Sequence, residues 1–215
     1  TEEIYFKTAE DFQLFTNPLY NNLLDKHPYN HQSDHYIKLS LSNLMHGGSY
    51  RTVPASGGGW SWTDLRRINT VLSRMDTCED EQVRLQYEGL ARFFRAFFYY
   101  EKVKQFGDGP WIDEGLASDS EKLKAPRDSR ELIMQKMLED VNFAIANLPS
   151  SVSTFRVNKY AALALKAQFC LFEGTFRKYH DLKIDAAQAG VEYVNDYVFY
   201  LEQAAAAAKE IMDSK

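Results

Sequence analysis

Only two cysteines, six prolines and no run of eighteen apolar residues occur in this chain of 215. Two thiols are too few for a disulfide framework; Cys78, at a helix start, and Cys170, within a helix, are expected to be free. Without a long apolar run, no segment is expected to span a bilayer as a helix. Basic residues nowhere form a long run and the formal charge is −5, which argues against a nucleic-acid backbone or an anionic bilayer surface as main partner. Also absent are a phosphate loop of the GxxxxGKS or GxxxxGKT kind, a nucleophile elbow and a His-Glu-x-x-His zinc motif. The glycines of GSYRTVPASGGGW neither follow a clear buried strand nor enter a helix, so they do not form a phosphate cradle. His27, His31 and His35 would share one helical face, but Pro28, Asn30 and Ser33 interrupt a helix there, and no metal or cofactor is expected. The chain opens on TEEIYFKTAEDF, with neither initiator Met nor signal peptide, as though a preceding segment had been removed; no cellular address follows from that.

What is present is an ordinary globular composition, 45% hydrophobic and 26% charged, expected to fold as a single domain over residues 1–215. Its organising stretch is Glu79 to Gly107. Eight of the twenty residues from Tyr87 to Phe106 are aromatic, and apolar side chains between Leu90 and Tyr100 point nearly all round a helix. Such a helix must be buried among others, each large apolar side chain being worth about 1.5–3 kcal/mol when covered. Its polarity forms one strip, Glu88, Arg92, Arg95, Tyr99 and Lys102, and Glu88 with Arg92 has the favoured order of an i,i+4 ion pair. Thr77 is the expected N-cap.

Around this helix the pattern predicts others. Thr8 caps a first helix with Phe12, Phe15, Leu19 and Leu23 at helical spacing, which Pro18 kinks or restarts. Residues 26–62 are rich in Gly, Ser, Asn, His and Tyr without a sustained period, a long irregular excursion of the kind usually tied to function. Thr63 caps a second helix with Leu65, Ile68, Asn69 and Leu72 inward, forming a hairpin with the central helix. DGPWIDEGLASDSEKLKAP crosses the surface, pinned by Pro110 and Trp111. Asp128 and Glu131 have capping-box spacing before a fourth helix with Ile133, Met137, Val141, Ala144 and Leu148 inward. Asn158 caps a fifth with Ala161, Ala164, Leu165, Gln168, Phe169 and Phe172 inward. A connector with Gly190 leads to a sixth from Tyr200, whose alanine run forms the small-residue side of a pair. The fold class is all-α, with residues 63–215 as stacked helix hairpins of tetratricopeptide-like character.

The strings EGLARFFRAFFYYEKVKQFGDGPWI (88–112), PRDSRELIMQKMLEDVNFAIANLP (126–149) and RVNKYAALALKAQFCLFEGTFRKYH (156–180) resemble successive signatures of the SusD/RagB family of outer-membrane nutrient-binding lipoproteins. YFKTAEDFQLFTNPLYNNL and WSWTDLRRINTVLSRM fit as well. Family members are usually more than twice this length, so the resemblance implies the N-terminal, helical half, with the C-terminal half absent and the lipid-bearing cysteine upstream of Thr1. It further implies a surface-exposed lipoprotein of Bacteroidetes-type outer membranes, touching the membrane only through its lipid. Such proteins capture oligosaccharides, or oligopeptides in some branches, without chemistry, and deliver them to a SusC-like TonB-dependent transporter.

Sugar rings stack on Trp and Tyr and hydrogen-bond to Arg, Asn, Asp and His. Residues 26–62 offer that mixture, and Tyr36 is a candidate on composition; the resemblance to the starch-binding branch points to Asp34, Arg51 and Trp60 by position. Each has a structural alternative: Asp34 as a turn cap, Tyr36 as half-buried packing in YIKLSLS, and Trp60 or Trp62 as a staple at the helix start. An all-α glycoside hydrolase with paired carboxylates and a scaffold that binds only protein are the rival functions. No pair of acids is singled out by the sequence.

Overall fold

A computed structural model describes residues 5–24, 58–151, 153, 155–182 and 185–214. These contain α1 (Ala9–Leu23), α2 (Thr63–Leu72), α3 (Glu81–Phe106), α4 (Arg130–Asn147), α5 (Lys159–His180), the short α6 (Ala186–Ala189) and α7 (Tyr197–Asp213), with 3-10 turns at Met75–Thr77 and Glu121–Lys124. No strand occurs among the described residues; Gly109 and Asp128 form one isolated bridge, each N–H donating to the other's carbonyl. The fold is all-α and tetratricopeptide-like.

Helix α3 is the hub. Phe94 and Ala96 are fully covered, and Tyr99 nearly so, in a core shared with Phe12, Ile68, Met137 and Phe169. The polar strip is what fastens it. Arg92 donates to Glu88 at 2.8 Å, Arg95 makes two bonds to Asp140 of α4, and the Tyr99 hydroxyl accepts from Ile112 N at 2.7 Å while donating to Pro110 O at 3.0 Å. Helix α2 packs on α3 as the sequence predicts, but α4 covers more of it, and the second extensive pair is α5 with α7. Cys78 and Cys170 are both buried and free.

At α3 and α4 the caps differ from expectation for one reason: the capping side chain is used elsewhere. Thr77 donates its hydroxyl to Phe6 O or Arg74 O, so Asp80 caps α3 by accepting from Gln82 N and Val83 N. Asp128 accepts from Trp111 N at 2.7 Å, and Ser129 caps α4 instead. Glu131 turns inward to pair with Arg177, so the expected capping box does not form. Helix α2 starts at Thr63 itself, the Trp62 carbonyl accepting the first helical N–H from Arg66. Thr8 and Asn158 cap as predicted, Thr8 in a reciprocal box with Asp11. Pro18 lies inside an unbroken α1.

The inward face of α5 is also corrected. Ala164 and Gln168 are exposed, whereas Ala162, Cys170, Glu173 and Arg177 are buried beside Leu165 and Phe169. This helix is covered on two sides, by α4 and by α7, so a single stripe misplaces it. Its carboxylate Glu173 meets both Arg130 and Arg177, and Arg177 also lies 4.5 Å over the Tyr200 ring. Helix α7 starts at Tyr197, capped by Asp196, three residues before the expected start. Its Ala204 and Ala207 are buried in the α5–α7 pair, and Gly174 of α5 lets Leu201 approach.

Candidate functional site

Where the chain enters α2, four rings build a shelf on the C-terminal turns of α3. Phe98, Lys102 and Phe106 recur at i, i+4 and i+8 and so share one face. Trp60 stacks on Phe106 with ring centres 4.0 Å apart and planes 15° from parallel, and on Trp62 at 5.4 Å and 19°. Trp62 in turn tilts against Phe98. Both tryptophans are half-buried. Lys102 donates to Gly59 O at 2.6 Å, which ties the preceding backbone to α3; burial lowers its pKa, with Glu101 and Asp64 pulling the other way. The Arg127 guanidinium lies 5.3 Å over the Trp60 ring.

Beside Trp62 opens a cavity of about 200 Å³. Its apolar walls come from Trp62 and Leu65 of the α2 start and from Pro110, Ile112, Leu116 and Leu123 of the segment crossing between α3 and α4; Arg66, Glu114 and Lys122 supply charge. The crossing segment is held by buried groups. Asn69 donates its amide to Ile112 O and Glu114 O, both at 3.0 Å, and the Tyr99 hydroxyl engages Pro110 and Ile112. Two carbonyl acceptors fix which end of the Asn69 amide is nitrogen, leaving Oδ1 covered and without a partner among the described residues. Lys122 donates to Glu114, whose hydrogen bond and charge raise the lysine pKa. A pocket smaller than the roughly 300–1,000 Å³ of drug-sized sites has room for one ring of a ligand, with the shelf beside it for more. Aromatic and aliphatic walls suit the C–H face of such a ring.

The SusD-like family described as "starch-binding associating with outer membrane" matches residues 59–171, more than half of the chain and all of this shelf and cavity. The chain belongs to the SusD-like family. A SusD-like protein of Formosa agariphila is 30% identical over 87 residues, 40% of this chain and 17% of that protein. A SusD-like crystal structure from Bacteroides fragilis superposes with a TM-score of 0.50 at 27% identity, covering 60% of this chain and 25% of that one. A second from the same species, described as a SusD-like carbohydrate-binding protein, has a TM-score of 0.58 at 18% identity over 81% of this chain and 40% of that one; it shows the shared fold. This SusD-like chain thus spans less than half the length of each of these relatives.

Of the residues singled out by sequence, Asp34, Tyr36 and Arg51, with His27, His31 and His35, lie outside the described residues. Trp60 is described and packs in the shelf, so its structural alternative is realised in part; Trp62 both packs on Phe98 and walls the cavity. Asn69, Arg66 and the 110–123 wall were not recognised as site residues in the sequence. The one available signal was Asn69 itself, an amide in the inward stripe of α2.

Proposed function

We propose that this SusD-like chain is the helical part of a non-catalytic surface protein that captures glycans. The observation that carries the reading is the aromatic-walled cavity beside the Trp60–Trp62 shelf, both within the segment that matches the family. One sugar ring enters the cavity against Trp62, and the next lies along Trp60. Residues 26–62 add Asp34, Tyr36 and Arg51 to the ligand face of the single helical domain. The family description and the carbohydrate-binding relative support a sugar ligand over a peptide. Outer-membrane residence as a surface lipoprotein, and hand-over to a SusC-like TonB-dependent transporter, complete the proposal.

The test is calorimetric titration with soluble glycans, with product analysis of the same mixtures. Saturable binding without new products, weakened by Trp62→Ala and by Trp60→Ala with helical content intact, is expected. New products would point to a hydrolase. Binding to a transporter barrel but to no glycan would point to a scaffold.

A further inference from the structure

We infer that the glycan taken by this site is anionic, bearing uronate carboxylates or sulfate esters that Arg66 and Arg127 receive at the two tryptophans. This deepens the capture reading and rests on it. The observation is the state of the arginines. Arg84, Arg92, Arg95, Arg130 and Arg177 all meet carboxylates. Arg67 donates to Phe15 O and Arg156 to Asn17, and Arg74 has a partner too. Among the described residues only Arg66 and Arg127 have guanidinium groups with no hydrogen-bonded or ionic partner, and both are at this site. Arg66 lines the cavity with Trp62, and Arg127 lies over the face of Trp60.

Neither guanidinium is bonded to a carboxylate among the described residues. The cavity carries Arg66 and Lys122 against Glu114 alone, and Glu114 is already engaged by Lys122. Beneath the shelf Lys102 adds a further cation. Glu101 and Asp64 act on Lys102, and Asp113 acts on Lys122 beside Glu114, so what marks the site is the two unpaired guanidinium forks and not a surplus of cations. A guanidinium presents a planar fork of donors that matches carboxylate and sulfate oxygens in two parallel bonds, a geometry that a neutral hydroxyl does not use. With one guanidinium at each tryptophan, a ring in the cavity against Trp62 and the next one alongside Trp60 each bring an acidic substituent toward a free fork.

The experiment titrates the 215-residue chain with three oligosaccharides of matched length: a neutral maltohexaose, a hexagalacturonate and a sulfated hexasaccharide. At low salt the better of the two anionic ligands is expected to bind about tenfold or more tightly than the neutral one, the scale of one charge-assisted hydrogen bond, and the gap should narrow as salt rises. The two anionic arms tell carboxylate from sulfate. Arg66→Gln and Arg127→Gln should each lower the anionic affinity by a larger factor than the neutral one and so narrow the gap, whereas Arg127→Lys keeps part of the difference. Equal affinity for neutral and anionic ligands would overturn the inference and leave the capture reading standing. Tight anionic binding untouched by either glutamine variant would overturn it as well. Binding to none of the three would remove the capture reading and the inference with it.

Discussion

Arg95 and Asp140 face each other across the α3–α4 contact in a two-bond pair, Nε to Oδ2 at 2.6 Å and Nη2 to Oδ1 at 2.7 Å. Only 9% and 2% of the two side chains are exposed. Burial raises the Asp140 pKa, while Arg95 and Arg92 oppose that shift. Two donors aimed at two oxygens is the geometry of the carboxylate. Removing one member of a buried pair leaves the other charged and uncovered, a loss of about 3–5 kcal/mol. Arg95→Met is therefore expected to lower the urea midpoint sharply, and the double variant Arg95→Met with Asp140→Leu to recover most of it. A single variant that unfolds like the parent would show that α4 is held on α3 by apolar packing alone.

Two helical glycines should respond in opposite directions to alanine. At Gly89 a Cβ would meet Leu148 Cγ at 3.5 Å and Ala144 Cα at 3.6 Å, ordinary contact. The helix-propensity gain of roughly 0.8–1 kcal/mol then decides, and Gly89→Ala should be stabilising. At Gly174 the same atom would come within 2.8 Å of Leu201 and 3.1 Å of Tyr197 O, so α7 itself must move. Overpacking of this kind costs about 1–3 kcal/mol and outweighs propensity. Thermal melts of both variants check the pair; a Gly174→Ala protein at least as stable as the parent would contradict the close approach of α7.

These helices show what was legible in the chain. Period and composition reveal a helix that is buried all round, such as α3, and the inward face of α4, because those depend on neighbouring residues in the same element. Thr77 and Asp128 are good cappers by type, yet their oxygens serve Phe6, Arg74 and Trp111, and only the tertiary fold brings those partners near. The face of α5 departs from the single stripe that its spacing predicts because the helix buries two sides, against α4 and against α7. Trp60 stood out as an aromatic at a helix start, whereas the cavity joins α2 to a wall some forty to sixty residues away, a relation no local pattern carries.

Stability should decline in alkali earlier than the core's acids suggest. Burial raises Tyr99 and Tyr200, and pushes Tyr100 and the Cys170 thiol up to about 12 from ordinary values of 10.0 and 9.0. Each group holds its proton more tightly when folded. Its contribution is complete below the ordinary value and is lost as pH rises from there toward the folded one. Lys102 and Lys166, lowered by burial, act in the opposite sense over part of that range. Tyr87 is raised by burial as well; with five groups against two, the urea midpoint is expected to fall between about pH 9 and about pH 11. A midpoint that holds steady or climbs over that interval would mean these phenols and the thiol are not sealed in the core.

Gly59 offers a way to disturb the shelf without touching either tryptophan. Its φ is +89°, and a Cβ there would lie 2.7 Å from Gln105 Nε2 and 3.2 Å from Phe106 Cζ. The Gln105 amide can swing aside, but Phe106 is the ring on which Trp60 rests. Alanine also carries a backbone penalty of about 1–2 kcal/mol at positive φ. The strain falls on the Gly59 to Trp62 segment, since the middle of α3 is anchored independently by Asp140, Pro110 and Ile112. Gly59→Ala should therefore change tryptophan fluorescence and weaken glycan binding severalfold while leaving far-ultraviolet circular dichroism unchanged. Altered fluorescence with full affinity would take Trp60 out of the ligand surface and leave Trp62 and the cavity as the capture element. Unchanged fluorescence would mean that Gln105 alone yields and that the Trp60–Phe106 stack is stiff enough to hold its place.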